Sequence, residues 1–372
     1  MKISTQILKI VDRLIGGSFA WILGWWNFWH TDGPPFVEIS HANIRHVLFI
    51  RPGGIGDLVM LLPVVARLKR VFPSIKISLL GERRNKAIAS MTSLFDEVLL
   101  YDEKPISLFL RLQRMNADIV IDTEQFHYSS AVFAFMSKAP VRIGFKTSPI
   151  RNELYTHLID YSMSAHESDA FNLLVDPICG SAQKDLSWEG LLETEKLSID
   201  YPDLDVNQKK IICVFPYFAS KAKTWPAGRW TEILRRLLAR DIEKIVLIGG
   251  KDSGPASERI LHALNDDRVT SLVGKLSLSQ TAAILNRCNL YIGCDTGVSH
   301  LATALGKKTV VLFGSSDERK WGPPTHKGSA VSCWVPCRPC SIFGYEKKCH
   351  TIDCMDRISV DAVWKEVERY LV

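Results

Sequence analysis

The sequence predicts an α/β protein of two Rossmann-like lobes facing a cleft, behind an amphipathic and hydrophobic N-terminal helix. Three observations carry this expectation. Short apolar or β-branched runs alternate with helix-like segments, the alternation occurs twice, and a polar stretch separates the two series. The 372 residues are 47% hydrophobic and 23% charged, enough for two packed domains of roughly 150 residues each.

At the N-terminus, Ile7, Leu8, Ile10, Val11, Leu14 and Ile15 recur at helical spacing beside Lys9, Asp12 and Arg13. An apolar run continues to Trp29, with Trp21, Trp25, Trp26 and Trp29 crowding its end. From Leu14 the run is 16 residues, short of the roughly 20 that span a bilayer. Residues 1–40 are therefore expected to be an in-plane membrane anchor and its linker. The alternatives are a helix packed on the protein's own core and a secretory signal. The second fits poorly, because the start is barely basic and no small-residue cleavage pattern follows.

The first lobe is expected over 41–190. Val47-Leu48-Phe49-Ile50 reads as a strand, 55–72 as a helix, 75–80 and 97–101 as strands, 106–115 as a helix, and 119–122 and 142–145 as strands. The chain turns polar from about 180, which places a linker at 191–208. The second lobe, 209–350, repeats the alternation with strands at 210–215, 244–248, 290–292 and 309–313 and helices at 230–240 and 279–287. A C-terminal helix is expected in 351–372. Two such sheets predict a ligand held outside the carboxyl ends of the strands.

Lys plus Arg number 46 and Asp plus Glu 40, a formal charge of +6 with no long basic run. This favours an anionic small molecule or a membrane surface over nucleic acid. Of nine cysteines, Cys179, Cys213, Cys288 and Cys294 are scattered in apolar stretches, as reduced core cysteines are.

Three loops carry candidate chemistry. After the first strand comes Arg51-Pro52-Gly53-Gly54-Ile55-Gly56-Asp57. Gly53, Gly54 and Gly56 let backbone N–H groups approach a ligand at a helix start, and Asp57 is a candidate base that can equally be a helix cap. The spacing matches neither a dinucleotide fingerprint nor a P-loop. After the first strand of the second lobe comes Lys221-Ala222-Lys223-Thr224-Trp225-Pro226, whose lysines suit a leaving diphosphate. The third loop is Cys294-Asp295-Thr296-Gly297-Val298-Ser299-His300, a strand feeding a helix N-terminus that can cradle a diphosphate without metal.

As a set, Gly56-Asp57 followed by Pro63, Lys223-Thr224-Trp225-Pro226, and Asp295-Thr296-Gly297 with His300 resemble the ADP-heptose:lipopolysaccharide heptosyltransferase family, glycosyltransferase family 9. The resemblance covers about 47–372 and implies the GT-B fold. It further implies an inverting, metal-independent transfer from a nucleotide-diphosphate sugar, ADP-heptose, to a lipid-linked lipopolysaccharide core acceptor. Asp57 then corresponds to the general base and Lys223 to the group that stabilises the departing diphosphate. Lys221, Thr224, Asp295, Thr296, Gly297 and His300 correspond to donor-holding residues. At the family's ribose position this chain offers Lys251-Asp252 where a glutamate is frequent, and Lys275-Leu276 fall in the base-contacting loop. No cofactor is implied. The setting implied is cytoplasmic, on the inner face of the membrane.

Acceptor contacts are expected around Arg83-Arg84, Glu124-Gln125-Phe126-His127 and 142–151. Cys337, Cys340, Cys349 and Cys354 put four thiols within 18 residues, a candidate structural zinc site that lacks the usual second CxxC, with disulfides or free thiols as the other readings. Two other functions compete: a transferase of the same fold serving a different cell-surface glycan, and a sugar-nucleotide-binding protein without catalysis.

Overall fold

Parallel strands covered on both faces need near-continuous apolar runs, and this chain supplies them twice. The computed structural model describes residues 12–30, 38–39, 44–102, 105–181, 186–199, 210–216, 221–342, 345–346, 349 and 351–371. The chain divides into two units, 1–187 and 188–372.

In the first unit, β1 (His46–Arg51), β2 (Lys76–Gly81), β3 (Glu97–Leu100), β4 (Ile119–Asp122), β5 (Val141–Lys146) and β6 (His157–Asp160) form one parallel sheet in the order β3-β2-β1-β4-β5-β6. Every residue of β1 is buried. The order reverses between β1 and β4, so a crevice opens beyond their carboxyl ends. The helices Ile55–Val71 and Glu167–Cys179 lie side by side. β6 and the helix Glu167–Cys179 lie in the segment of weaker sequence pattern. β6 is an edge strand whose residues alternate between half-buried and exposed, so it carries no apolar run.

The N-terminal helix Gly17–His30, entered through a π-turn at Asp12–Gly16, lies against this unit. Ala20 is fully buried in the core beside Leu48, Val120 and Tyr155, whereas Phe19, Trp21, Ile22, Trp25 and Trp26 are exposed. The helix therefore packs Ala20 and Leu23 on the core and turns these five large residues outward. Among the described residues, no helix is long and apolar enough to cross a membrane.

In the second unit, β7 (Ile211–Phe215), β8 (Lys244–Leu247), β9 (Val269–Ser271), β10 (Leu290–Cys294), β11 (Lys308–Phe313) and β12 (Gly328–Ser332) form a parallel sheet in the order β12-β11-β10-β7-β8-β9. Its reversal falls between β7 and β10. Two short strands, β13 (Ser341–Ile342) and β14 (Tyr345–Glu346), pair antiparallel in the cysteine-bearing segment. Trp225 and Trp230 meet edge to face at 5.1 Å inside the core, and Trp225 Nε1 donates to the Ile358 carbonyl at 3.0 Å. That bond ties the stretch after β7 to the chain just before the C-terminal helix Val360–Glu368, which buries Val363 and Val367.

Candidate active site

In the first unit, β1 ends on Arg51 and the helix Ile55–Val71 begins four residues later, which puts Asp57 in its first turn. Asp57 Oδ2 accepts the Gly54 N–H at 2.8 Å, so the residue does cap the helix. Its other oxygen faces Arg51 Nη2 at 3.2 Å, and the side chain keeps 22% of its exposure. A carboxylate oriented by two donors yet still open to solvent is both cap and candidate base. A Cβ at Gly54 would stand 2.9 Å from Asp57 Oδ2, and one at Gly53, whose φ is +148°, 3.2 Å from Arg51 Nη2. Those glycines make room for the Asp57–Arg51 pair. Gly56 is buried in the helix behind them.

Arg51 is the residue around which the crevice is organised. It is 2% exposed, donates to the Thr123 carbonyl at 2.8 Å, lies 3.4 Å from Glu124 Oε1, and sits over the Phe171 ring at 5.0 Å. Burial by itself lowers its pKa, but Asp57, Glu124 and Glu167 outweigh burial and raise it. Glu124 is the reverse case. Burial raises its pKa, and Arg51 and His127 offset that only in part.

The expected acceptor loops divide. Glu124 and Gln125 are buried, Gln125 donating to Glu167, while Phe126 is exposed and His127 half-buried. Arg151 lies in the interior, 3.2 Å from Asp122, which also accepts from Tyr155 Oη at 2.6 Å. Arg142 donates to the Leu154 and Ala139 carbonyls, both at 2.8 Å. Neither arginine forms a solvated rim, because the interior carbonyls and Asp122 already engage them. Arg83 and Arg84 are exposed, beside Asp102 and Glu82.

In the second unit the crests after β7, β10 and β11 converge. Lys223 closes the 3-10 turn Lys221–Lys223, and its Nζ donates to Asp295 Oδ2 at 2.7 Å. The Lys221 side chain lies outside the described residues. Ser316 Oγ donates to the same oxygen at 2.5 Å, and His300 Nε2 lies 3.9 Å from Asp295 Oδ1. Burial pushes the Asp295 carboxyl up, but Lys223, His300 and Ser316 together hold it below the usual carboxylate range. Thr296 is the N-cap of the helix Gly297–Ala304, its N–H reaching Ser299 Oγ at 3.4 Å, and His300 is buried one turn on. Thr224 borders a cavity of about 240 Å³ with Trp225, Pro226 and Arg259.

Asp252 is exposed in the turn Lys251–Ser253. Gly274 donates to the Gly249 carbonyl at 2.9 Å, which brings that turn beside Lys275 and half-buried Leu276. Lys275 Nζ donates to the Ser271 carbonyl at 2.9 Å. Ser316 and the joint role of Arg51 and Glu124 lie outside the sequence motifs. The signal for Ser316 was Gly314-Ser315-Ser316 following an apolar strand: a Cβ at Gly314 would fall 2.4 Å from the Ala222 carbonyl, so this crest presses against the lysine turn.

The zinc expectation is corrected. Among the described residues no group of three or more His, Cys, Asp or Glu is placed to hold a metal ion. Cys337 and Cys349 are exposed, Cys349 Sγ donates to the Thr351 carbonyl, and Cys333 Sγ turns to the carbonyls of Asp353 and Cys354. Burial, with Cys340, Cys337 and Cys349 nearby, pushes the Cys354 thiol up to about 11.

With this geometry in hand, residues 106–350 match the family model Glycosyltransferase family 9 (heptosyltransferase). Lipopolysaccharide heptosyltransferase 3 of Escherichia coli is 23% identical over 72% of this chain and 83% of its own length. A family 9 glycosyl transferase from Veillonella parvula superposes with a TM-score of 0.73 at 19% identity, covering 90% of this chain and 99% of that one. The E. coli heptosyltransferase WaaC with ADP does so with a TM-score of 0.70 at 20% identity, covering 87% and 99%.

Proposed function

The chain belongs to glycosyltransferase family 9 and is a glycosyltransferase of GT-B fold, and from that premise we propose that it moves a heptose from ADP-heptose to a lipid-linked lipopolysaccharide core acceptor, with inversion and without a metal. The observation that carries the reading is Asp57, a carboxylate aimed by Arg51 and Gly54 at the switch point of the first sheet. A sugar hydroxyl is a weak nucleophile at neutral pH, so a positioned base is what the transfer requires.

In this mechanism Asp57 takes the acceptor hydroxyl's proton as that oxygen bonds to the donor's anomeric carbon. The bond from that carbon to the diphosphate oxygen breaks with its electron pair, and Lys223 receives the developing charge. The N-terminus of the helix Gly297–Ala304, with Thr296 and His300, holds the diphosphate. Asp252, Lys275 and Leu276 lie at the nucleoside end. The relatives' names supply the heptose and the lipopolysaccharide acceptor, and the place of action is the cytoplasmic face of the inner membrane.

Asp57→Asn keeps the cap oxygen and removes the base. Turnover should fall by about 10²–10⁴-fold while ADP-heptose affinity stays within a few-fold. Normal turnover in that variant defeats the role given to Asp57. Nucleotide release measured over a donor panel tests the substrate, and indifference to ADP-heptose points to the transferase of another glycan.

A further inference from the structure

The N-terminal helix is built the opposite way to one that serves a core. Its inward side carries the smallest residues: Gly16 and Gly17 approach Ser129 and Tyr128, Gly24 approaches Glu153, Ala20 is fully buried, and Asn27 donates to the Glu153 carbonyl at 3.0 Å. Its outward side carries Phe19, Trp21, Ile22, Trp25 and Trp26, each more than half exposed, with Leu14 and Ile15 just before. At about 100° per residue the exposed group fills an arc of about 160°. Burial of such side chains is a large source of stability, and this chain leaves it unused here.

We infer that this face is an in-plane membrane foot that seats in the boundary between headgroups and acyl chains of an anionic bilayer. The inference deepens the proposed function and rests on its lipid-linked acceptor for its purpose, not for the binding itself. Charge complementarity selects the occupant. Residues 1–30 contain Lys2, Lys9 and Arg13 against a single carboxylate, Asp12. That carboxylate is already engaged, accepting the N–H groups of Tyr128 and Ser129, both at 2.9 Å, at the start of the helix Tyr128–Met136. Arg13 is exposed just before the aromatic side, and with Asp12 engaged the sequence of 1–30 holds more cation than anion, which suits anionic headgroups. Tryptophan pairs an apolar body with a polar N–H, the chemistry of the interfacial layer. A 14-residue helix is about 21 Å long, less than the roughly 30 Å hydrocarbon core, so it lies along the surface.

The latch gives the foot its sense. Asp12 grips the backbone immediately after Glu124-Gln125-Phe126-His127, the loop whose Glu124 faces Arg51. Docking the foot therefore holds the acceptor-side crest of this unit at the surface where a lipid-linked acceptor lies.

The test is flotation of the full chain with vesicles of phosphatidylethanolamine containing about a third phosphatidylglycerol, against pure phosphatidylcholine. The unaltered protein should float with the anionic vesicles, more weakly with the neutral ones, and brominated acyl chains should quench its tryptophan emission. The combined variant Trp21→Ser, Trp25→Ser, Trp26→Ser should lose at least about tenfold in vesicle affinity yet keep turnover on a delipidated, soluble acceptor. Asp12→Asn should keep flotation but slow transfer to vesicle-embedded acceptor relative to soluble acceptor. Quenching of the unaltered chain and a single Trp25→Ser variant keep the test independent of how the combined variant folds. Failure of the unaltered chain to float at low salt overturns the inference, as does a dimer that the triple substitution dissociates with no vesicle binding. Flotation needs no turnover, so a floating protein that transfers no heptose upholds the foot and counts against the proposed function alone.

Discussion

At the scale of single residues, the two crevices use the same device: a buried or half-buried carboxylate held by a cation. Arg51 acts on Asp57 by position, with its Nη2 3.2 Å from Asp57 and 3.4 Å from Glu124. Arg51→Lys keeps a charge but not the planar fork that reaches two carboxylates and a carbonyl at once. Turnover should fall about tenfold to a hundredfold with donor affinity nearly unchanged, read as kcat against KM. A change confined to thermal stability would make Arg51 merely structural.

In the second unit the sign of the pH effect follows from Asp295. Its carboxyl is held below 3.8 in the folded protein, so its contribution to stability is complete above that value and is lost as pH falls through the folded value. Lys223→Ala removes the nearest cation from a carboxylate that is 7% exposed. The expected loss near neutral pH is about 3 kcal/mol, the lower end for breaking a buried pair because Lys223 is itself partly exposed. Urea unfolding across pH should show the gap between the two proteins closing below about pH 4. A gap that is constant with pH would rule out the Lys223–Asp295 pair as its cause.

At the scale of elements, the loop 52–54 behaves as a spacer cut to fit a side chain. Gly54→Ala would set a Cβ 2.9 Å from Asp57 Oδ2, so the carboxylate or the helix start must shift by a few tenths of an ångström. Misplacement of a base on that scale predicts a fall in kcat of about tenfold with unchanged ADP-heptose affinity, read by steady-state kinetics beside calorimetric titration. Unchanged kcat would mean that the loop adjusts freely. Elements with continuous apolar runs, such as β1, β4, β7, β8 and β11, were legible in the sequence to within a residue or two. β6 was not, because an edge strand with one exposed side has no such run. The helix Gly254–Leu264 was missed for a different reason. It opens with Gly-Pro, which reads as a break, yet Pro is well suited to the first turn of a helix.

At the scale of the whole molecule, the cation at the donor crevice is Lys223, so the proposed transfer calls for no divalent ion. Treatment with EDTA followed by gel filtration should leave the transfer rate within about twofold, and a loss restored by magnesium would overturn the metal-independent reading.

By itself the sequence determined two α/β series, the crests that carry Asp57, Lys223 and Asp295, and an apolar N-terminal helix with too short a run to span a bilayer. Each is a local property, written in contiguous residues as a period, a turn or a strand end. The tertiary structure decided the partners: Lys223 with Asp295 across 72 residues of chain, Arg51 with Thr123 and Glu124, Ser316 beside Asp295, and Arg151 inside instead of on a rim. It also decided that the N-terminal helix turns its glycines inward and Trp21, Trp25 and Trp26 outward. The physical reason is common to all of these. Periodicity reports how one segment divides between core and solvent, whereas which groups meet, and which face of an all-apolar helix is covered, depends on surfaces brought together from far along the chain.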